Sequence, residues 1–166
     1  MLFMKIFGRY YLQSNFKILE MKYLFLFLVC SFFSCSSNPT KNEKLVHALS
    51  DNKMPIRGHV VEISNSEFRL DYYDVYEKGS SVKFLEKLNY QGGGESWAGI
   101  IYGAIKLSDP NLLDDIRFDP EADGVAIWST NRGVLEKIGR LLNVIKSDEK
   151  ILMECIRVAE KNSQME

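Results

Sequence analysis

The amino-acid sequence predicts an α+β fold in a single domain: a small antiparallel sheet of two hairpins, packed against about four helices. Two segments, near 58–74 and 116–128, alternate apolar and polar side chains around short polar turns, as hairpins do. Apolar residues recur every three or four positions in the stretches that follow them, as in amphipathic helices. This mixed order of strands and helices favours α+β over a doubly wound parallel sheet.

The first part of the chain is predicted to be a leader. Lys22 precedes a short apolar run at 24–29, which is typical of a secretory signal and too short to span a membrane. The segment Phe33-Ser34-Cys35 is similar to a bacterial lipobox, in which the cysteine is lipidated. We therefore expect residues 1–20 to be an over-called start and 21–34 a lipoprotein-type signal peptide.

Lipidation of Cys35 would place the protein in the cell envelope, attached to the membrane through a lipid anchor. Two alternatives remain open: a soluble secreted protein cut near the same position, and an uncleaved apolar tail. Residues 35–54 are rich in Ser, Asn, Lys and Thr, which predicts a flexible tether with at most a turn or two of helix. The folded domain is expected to span 55–166.

The first hairpin is predicted from two alternating segments. In Gly58 to Ser64, successive side chains point to opposite faces, and Asn65-Ser66 is a turn pair. In Glu67 to Asp74 the inward side chains are expected to be Phe68, Leu70 and Tyr72. One face of this hairpin should therefore meet water. Ser80 or Ser81 then begins a helix that runs to Leu88.

A run of three glycines, Gly92, Gly93 and Gly94, precedes the predicted central helix. Glycine reaches backbone angles that other residues avoid, so the run suits a sharp hinge. Glu95 or Ser96 is expected to cap the helix. Trp97 and three aliphatic residues share one helical face, whereas Gly99 and Gly103 lie on another, where a second element should pack very closely.

The second half of the chain predicts another hairpin and two helices. Ile116 and Phe118 lead into a polar turn at 119–124, and Val125 to Trp128 forms the returning strand. Asn131 or Thr130 should cap the clearest amphipathic helix, and Ser147 the last one. Trp97 and Trp128 could anchor an interface, as tryptophan often does, but both lie on apolar stretches, so we expect them to pack in the core.

Composition and side-chain spacing argue against an enzyme, a metalloprotein and a nucleic-acid binder. The net charge is −1, without the basic excess that nucleic acid requires. The histidines, His47 and His59, lie far from any zinc-type spacing, and a Ser96–His59–Asp triad has no support beyond composition. Cys155 is expected to be a buried apolar group. We predict no catalytic residue, no metal and no cofactor.

Two local patterns allow a second interpretation. Asp119, Glu121 and Asp123 have the spacing that begins a calcium loop, but Pro120 interrupts it and the final glutamate of such a loop is missing. The glycine run could bind phosphate through its N–H groups, but no lysine follows it and Glu95 would repel an anion. A structural hinge is the preferred interpretation.

The segment 114–123 is strongly acidic. It could steer a basic protein partner toward this surface, or it could simply be a solvated hairpin tip. Tyrosines are also plentiful and suit a binding surface as well as the rim of a core. The residues predicted to contact a partner are the following: Glu95, Asp115, Asp119, Glu121, Asp123 and Tyr73.

Two motifs in order carry a family resemblance. The first is Gly92-Gly93-Gly94-Glu95-Ser96-Trp97-Ala98-Gly99, and the second is Phe118-Asp119-Pro120-Glu121-Ala122-Asp123 with Leu135-Glu136-Lys137 after it. Together they resemble the immunity protein 51 family of bacterial polymorphic-toxin systems, over roughly 60–145. The chain differs from the family pattern at Ala98, where an acidic residue is frequent, and in its lipoprotein-like leader.

The resemblance implies a non-enzymatic inhibitor that binds and masks a cognate bacterial toxin domain. It does not identify the toxin. The alternative is an envelope lipoprotein with a general structural or binding role unrelated to toxins. A hydrolase has the least support in the sequence.

Overall fold

The α+β prediction is confirmed in the computed structural model, which describes residues 39–166. Expectations for the start, the signal peptide and Cys35 fall outside the described residues. The helices and strands of the described part are, in chain order: α1 (Glu43–Ser50), β1 (His59–Ser64), β2 (Glu67–Tyr72), α2 (Val82–Lys87), α3 (Gly94–Ser108), β3 (Arg117–Pro120), β4 (Val125–Ser129), α4 (Arg132–Ser147) and α5 (Glu149–Lys161). Short 3₁₀ turns lie at Asp74–Tyr76 and Pro110–Asp115.

The two predicted hairpins form one antiparallel sheet with the strand order β1-β2-β4-β3. The hairpins are joined through β2 and β4, where Leu70 pairs with Ile127. Phe68, Leu70 and Tyr72 point inward as predicted. On β1 it is Val60, the partner of Leu70, that packs against the core. The other face of the sheet is left uncovered by residues 39–166.

The central helix α3 is buried on almost every side. Solvent does not reach Trp97 or the three isoleucines of this helix. A Cβ on Gly103 would overlap the carbonyl oxygen of Cys155 and lie 2.8 Å from its carbonyl carbon. A Cβ on Gly99 would meet the backbone of Gln164. The close approach predicted for this glycine face is therefore that of α5 and the segment after it.

The expected flexible tether over 35–54 is wrong from Asn42 onward, because α1 is part of the folded body. Leu45 and Ala48 are 0% exposed and belong to the core. The Asn42 N–H donates to the Leu107 carbonyl at 2.8 Å, and the buried Arg140 donates through Nε to the Ala48 carbonyl at 3.0 Å. Long-range packing of this kind stabilises a short helix that its local sequence hardly predicts.

Two of the expected helix caps are different in the structure. Asn131 caps α4 as predicted, and its side chain accepts from the Gly133 N–H at 2.9 Å. In contrast, α3 begins at Gly94 without a side-chain cap, so neither Glu95 nor Ser96 has that role. Asp148 rather than Ser147 caps α5. The capping position of α3 is Gly93, which has no side chain, and a Cβ there would overlap the Ala122 carbonyl oxygen.

Cys155 lies in the core on α5, as expected for a small apolar group. Burial raises the pKa of its thiol, which keeps the sulfur protonated and unreactive. No helix within residues 39–166 combines the length and apolar character needed to cross a membrane.

Candidate partner-binding site

The two sequence motifs contact each other through their backbones. Gly92 has a φ of +78°, which turns the chain into α3. The Gly94 N–H donates to the Glu121 carbonyl at 3.0 Å, and the Glu121 N–H donates to the Gly124 carbonyl at 2.8 Å. A Cβ on Gly93 would overlap the Ala122 carbonyl oxygen. The β3–β4 turn therefore packs directly on the backbone of the glycine run.

Protein groups already accept the hydrogen bonds of two glycine N–H groups in this run. The Gly92 N–H donates to Ser96 Oγ at 2.8 Å, and the Gly94 N–H to Glu121. Glu95 follows directly and is exposed. This arrangement supports the hinge interpretation over a phosphate cradle.

Tyrosines and carboxylates surround the same turn. The Tyr73 ring lies over Gly124, so closely that a Cβ there would overlap the ring. Tyr76 is exposed and its hydroxyl donates to Asp123 at 2.6 Å, with its ring centroid 6.1 Å from that of Tyr73. The hydrogen bond to Asp123 raises the pKa of Tyr76, whereas partial burial and then the charges of Asp71 and Glu121 raise the pKa of Tyr73.

The structure brings four of the six predicted contact residues to one end of the sheet. Glu95, Glu121, Asp123 and Tyr73 lie where the glycine run meets the β3–β4 turn, and together we call them the acidic end. Asp119 lies further along β3, on the open face of the sheet. Asp115 is at the opposite end of the hairpin, where its carbonyl accepts from Ser129 Oγ at 2.8 Å.

The prediction that Trp128 packs in the core is wrong. Trp128 is partly exposed on the open face, because Val125 and Ile127 of β4 point inward and Trp128 alternates with them. Its cross-strand neighbours are Arg69 on β2 and Arg117 on β3. Their guanidinium carbons lie 5.3 and 5.2 Å from the centroid of the indole ring. The alternation of β4 already contained the signal for this outward position.

Each of these arginines has a carboxylate beside it on the same strand. Arg69 Nε lies 2.8 Å from an oxygen of Asp71, and Arg69 Nη2 donates to the other at 2.9 Å. Arg117 Nη1 lies 3.9 Å from Asp119 Oδ2. The same oxygen accepts a hydrogen bond from Trp128 Nε1 at 3.2 Å. The hydrogen bond with Asp71 and the nearby charge of Glu121 raise the pKa of Arg69.

A buried ion pair lies behind the sheet, and sequence spacing gave no sign of it. Lys146 Nζ pairs with Asp74, and their side chains are only 5% and 0% exposed. Asp74 also accepts from the Ser81 N–H at 2.6 Å and from the Tyr72 hydroxyl at 3.1 Å. Lys146 Nζ lies 5.5 Å from the Trp97 ring centroid. This pair fixes the loop between β2 and α2 to the core.

The two residues considered above for catalysis lie on different elements, Ser96 on α3 and His59 on β1. No three His, Cys, Asp or Glu side chains in this range are grouped so that they could hold a metal ion. Ser96 is engaged with Gly92 and Glu166, whereas His59 lies on the edge strand opposite Asp71. An open groove of about 580 Å³ runs between α1 and the junction of α4 with α5. It is lined by Glu43, Lys44, His47, Met54, Asn143, Val144, Ser147 and Asp148.

The chain matches a known protein family. The family model described as Immunity protein 51 matches residues 62–161, which include most of the first hairpin, the whole of the second, the glycine run and all of α5. No curated protein and no solved structure matches the chain.

Proposed function

Since this chain belongs to the immunity protein 51 family, we propose that it neutralises one cognate bacterial toxin by binding the toxin domain and masking it, without catalysing a reaction. The family match over 62–161 carries this proposal. The protein needs no reactive centre for this role, because an inhibitor works through the fit of its surface to the toxin.

The acidic end supports a binding role. Glu95 and Glu121 are exposed and form no ion pair within residues 39–166. Carboxylates left unpaired at one end of a domain attract a basic partner and increase its association rate. The hydrogen bond from the Gly94 N–H to the Glu121 carbonyl keeps the backbone positions of these two residues close together.

Co-expression with the toxin tests the proposal. A toxin gene is expected beside the gene for this chain, and its product should arrest growth when it is expressed alone in a bacterial host. We expect co-expression of this chain to restore growth. Failure to restore it, with both proteins made in soluble form, would contradict the proposal and favour the envelope lipoprotein with a general binding role.

Charge reversal tests the part played by the acidic end. We expect the double variant Glu95→Lys/Glu121→Lys to bind the toxin at least about 10-fold more slowly at low salt, because steering of charged partners changes association rates by 10-fold or more. Stopped-flow mixing would measure the rate. The difference from the wild-type chain should shrink as salt rises, since exposed charges are screened.

The matched control is Glu62→Lys/Asp114→Lys, which changes the net charge equally at exposed positions away from the acidic end. At low salt we expect it to slow association less than the acidic-end variant, and at 0.1 M salt, where the screening length is about 10 Å, its rate should stay within about 3-fold of the wild-type value. Equal slowing by both double variants would mean that overall charge, not the acidic end, steers the toxin.

We further propose that the protein works in the cell envelope, anchored through lipid on Cys35. The lipobox-like segment Phe33-Ser34-Cys35 supports this location, and secretion without an anchor is the alternative. Two or more acyl chains would hold a protein stably at a membrane. Cys35→Ala should move the protein from the membrane fraction to the soluble fraction, whereas Cys30→Ala should not. An unchanged distribution of Cys35→Ala would count against lipidation.

A further inference from the structure

The open face of the sheet has a composition that differs from an ordinary solvent-facing surface. Its outward positions on the three strands β2, β4 and β3 form two cross-strand rows. One row is Arg69–Trp128–Arg117, and the next is Asp71–Ala126–Asp119. We call these six residues, with Tyr73 beyond the second row, the tryptophan face.

The tryptophan face combines the side chains that dominate binding energy at protein interfaces. Trp, Tyr and Arg are enriched among interface residues whose truncation costs the most affinity. Here Trp128 lies on β4, which is flanked by a strand on each side, and the two arginines stack against its ring. Asp71 pairs closely with Arg69, and Asp119 orients the indole ring by accepting from Trp128 Nε1. An anchor that is already ordered loses little conformational entropy when it binds.

The charges on and beside this face indicate what it would bind. Asp71 and Asp119 of the face are joined by Glu121 and Asp123 of the β3–β4 turn, so that four carboxylates stand against two guanidinium groups in this region. The Tyr73 ring lies over Gly124 of this turn, and Asp123 accepts from the hydroxyl of Tyr76 beside it, so the turn borders the face. The excess of negative charge complements a surface that presents lysine or arginine side chains.

We propose that the tryptophan face is the surface on which the cognate toxin docks, with Trp128 as the buried anchor and Asp119 accepting a basic side chain of the toxin. This inference rests on the proposed function, because its occupant is the toxin. The centre of the interface then lies on the open face and not at the acidic end. The acidic end then borders the interface and steers the approach.

Binding of the full chain to the purified cognate toxin domain tests the inference by calorimetry. Trp128→Ala should raise the dissociation constant by at least about 30-fold, the effect of losing a dominant anchor. Asp119→Lys should raise it by at least about 10-fold, because it places a like charge against a basic partner. The matched control is Glu136→Lys, whose carboxylate also pairs with an exposed arginine but lies on α4.

The possible outcomes separate the two proposals. Failure of the wild-type chain to bind the toxin overturns both. Tight binding by the wild type, with Trp128→Ala and Asp119→Lys unchanged, overturns only the docking surface. Chemical denaturation of each variant shows whether it is folded. If Trp128→Ala is not folded, the dissociation constant of Asp119→Lys alone tests the docking surface. The Asp119 side chain is 51% exposed and does not belong to the core, so this variant should fold.

Discussion

Replacing Asp74 by alanine is expected to lower the free energy of unfolding by about 3–5 kcal/mol, the usual cost of leaving one charge of a buried pair alone. Lys146 would remain almost fully buried beside the Trp97 ring without its carboxylate. The Ser81 N–H and the Tyr72 hydroxyl would lose an acceptor at the same time. Urea denaturation followed by tryptophan fluorescence measures the change.

Two further variants make this prediction specific. Lys44→Ala breaks the Lys44–Asp148 pair, in which the lysine side chain is 70% exposed, and should cost no more than about 1 kcal/mol. Adding Lys146→Met to Asp74→Ala should recover part of the lost stability, because no unpaired charge then stays buried. A loss below about 1 kcal/mol for Asp74→Ala, or strictly additive effects in the double variant, would show that the pair does not stabilise the fold in this way.

Gly94→Ala is expected to destabilise the protein by about 3 kcal/mol, at the upper end of the usual cost of overpacking. The added Cβ would overlap the carbonyl oxygens of Gly124 and Glu121 and lie 2.5 Å from the Glu121 nitrogen. All three are backbone atoms of the β3–β4 turn, so no flexible side chain can move aside. The free energy of unfolding from urea denaturation is again the measurement.

Gly133→Ala is the matched control, since Gly133 also lies in the first turn of a helix. A Cβ there would meet only Asn131 Oδ1, at 3.2 Å. We expect a change within about 1 kcal/mol in either direction, because alanine is the better helix former and the contact is slightly tight. Equal effects at the two positions would mean that contact between the glycine run and the turn does not limit stability.

Features set by local periodicity could be predicted from the sequence. Alternation identified both hairpins and the inward set Phe68, Leu70 and Tyr72, and the apolar face of α4 followed from its helical spacing. Two glycines inside α3 predicted close packing before its partner was known. The family resemblance rested on two motifs, and the fold brings them into contact through their backbones.

Features that depend on distant residues could not be predicted in this way. The short helix α1 is held by Leu107 and Arg140, which are far away in sequence, so its composition alone indicated a tether. Asp74 and Lys146 have no sequence spacing that predicts an ion pair. Trp128 is different, since the alternation of β4 showed its outward direction and only its apolar character suggested the core. Of the predicted contact residues, Asp115 is the one that the fold places at the far end of the hairpin.

The joining of the hairpins through β2 and β4 has a consequence for the order in which the chain folds. Each hairpin needs only neighbouring residues and can form within microseconds. Pairing Leu70 with Ile127 instead closes a loop that contains the whole of α3. The chain loses the entropy of closing this loop before the long-range contacts form and offset the loss. We therefore expect the pairing of β2 with β4, which encloses the central helix, to be the slow step of folding.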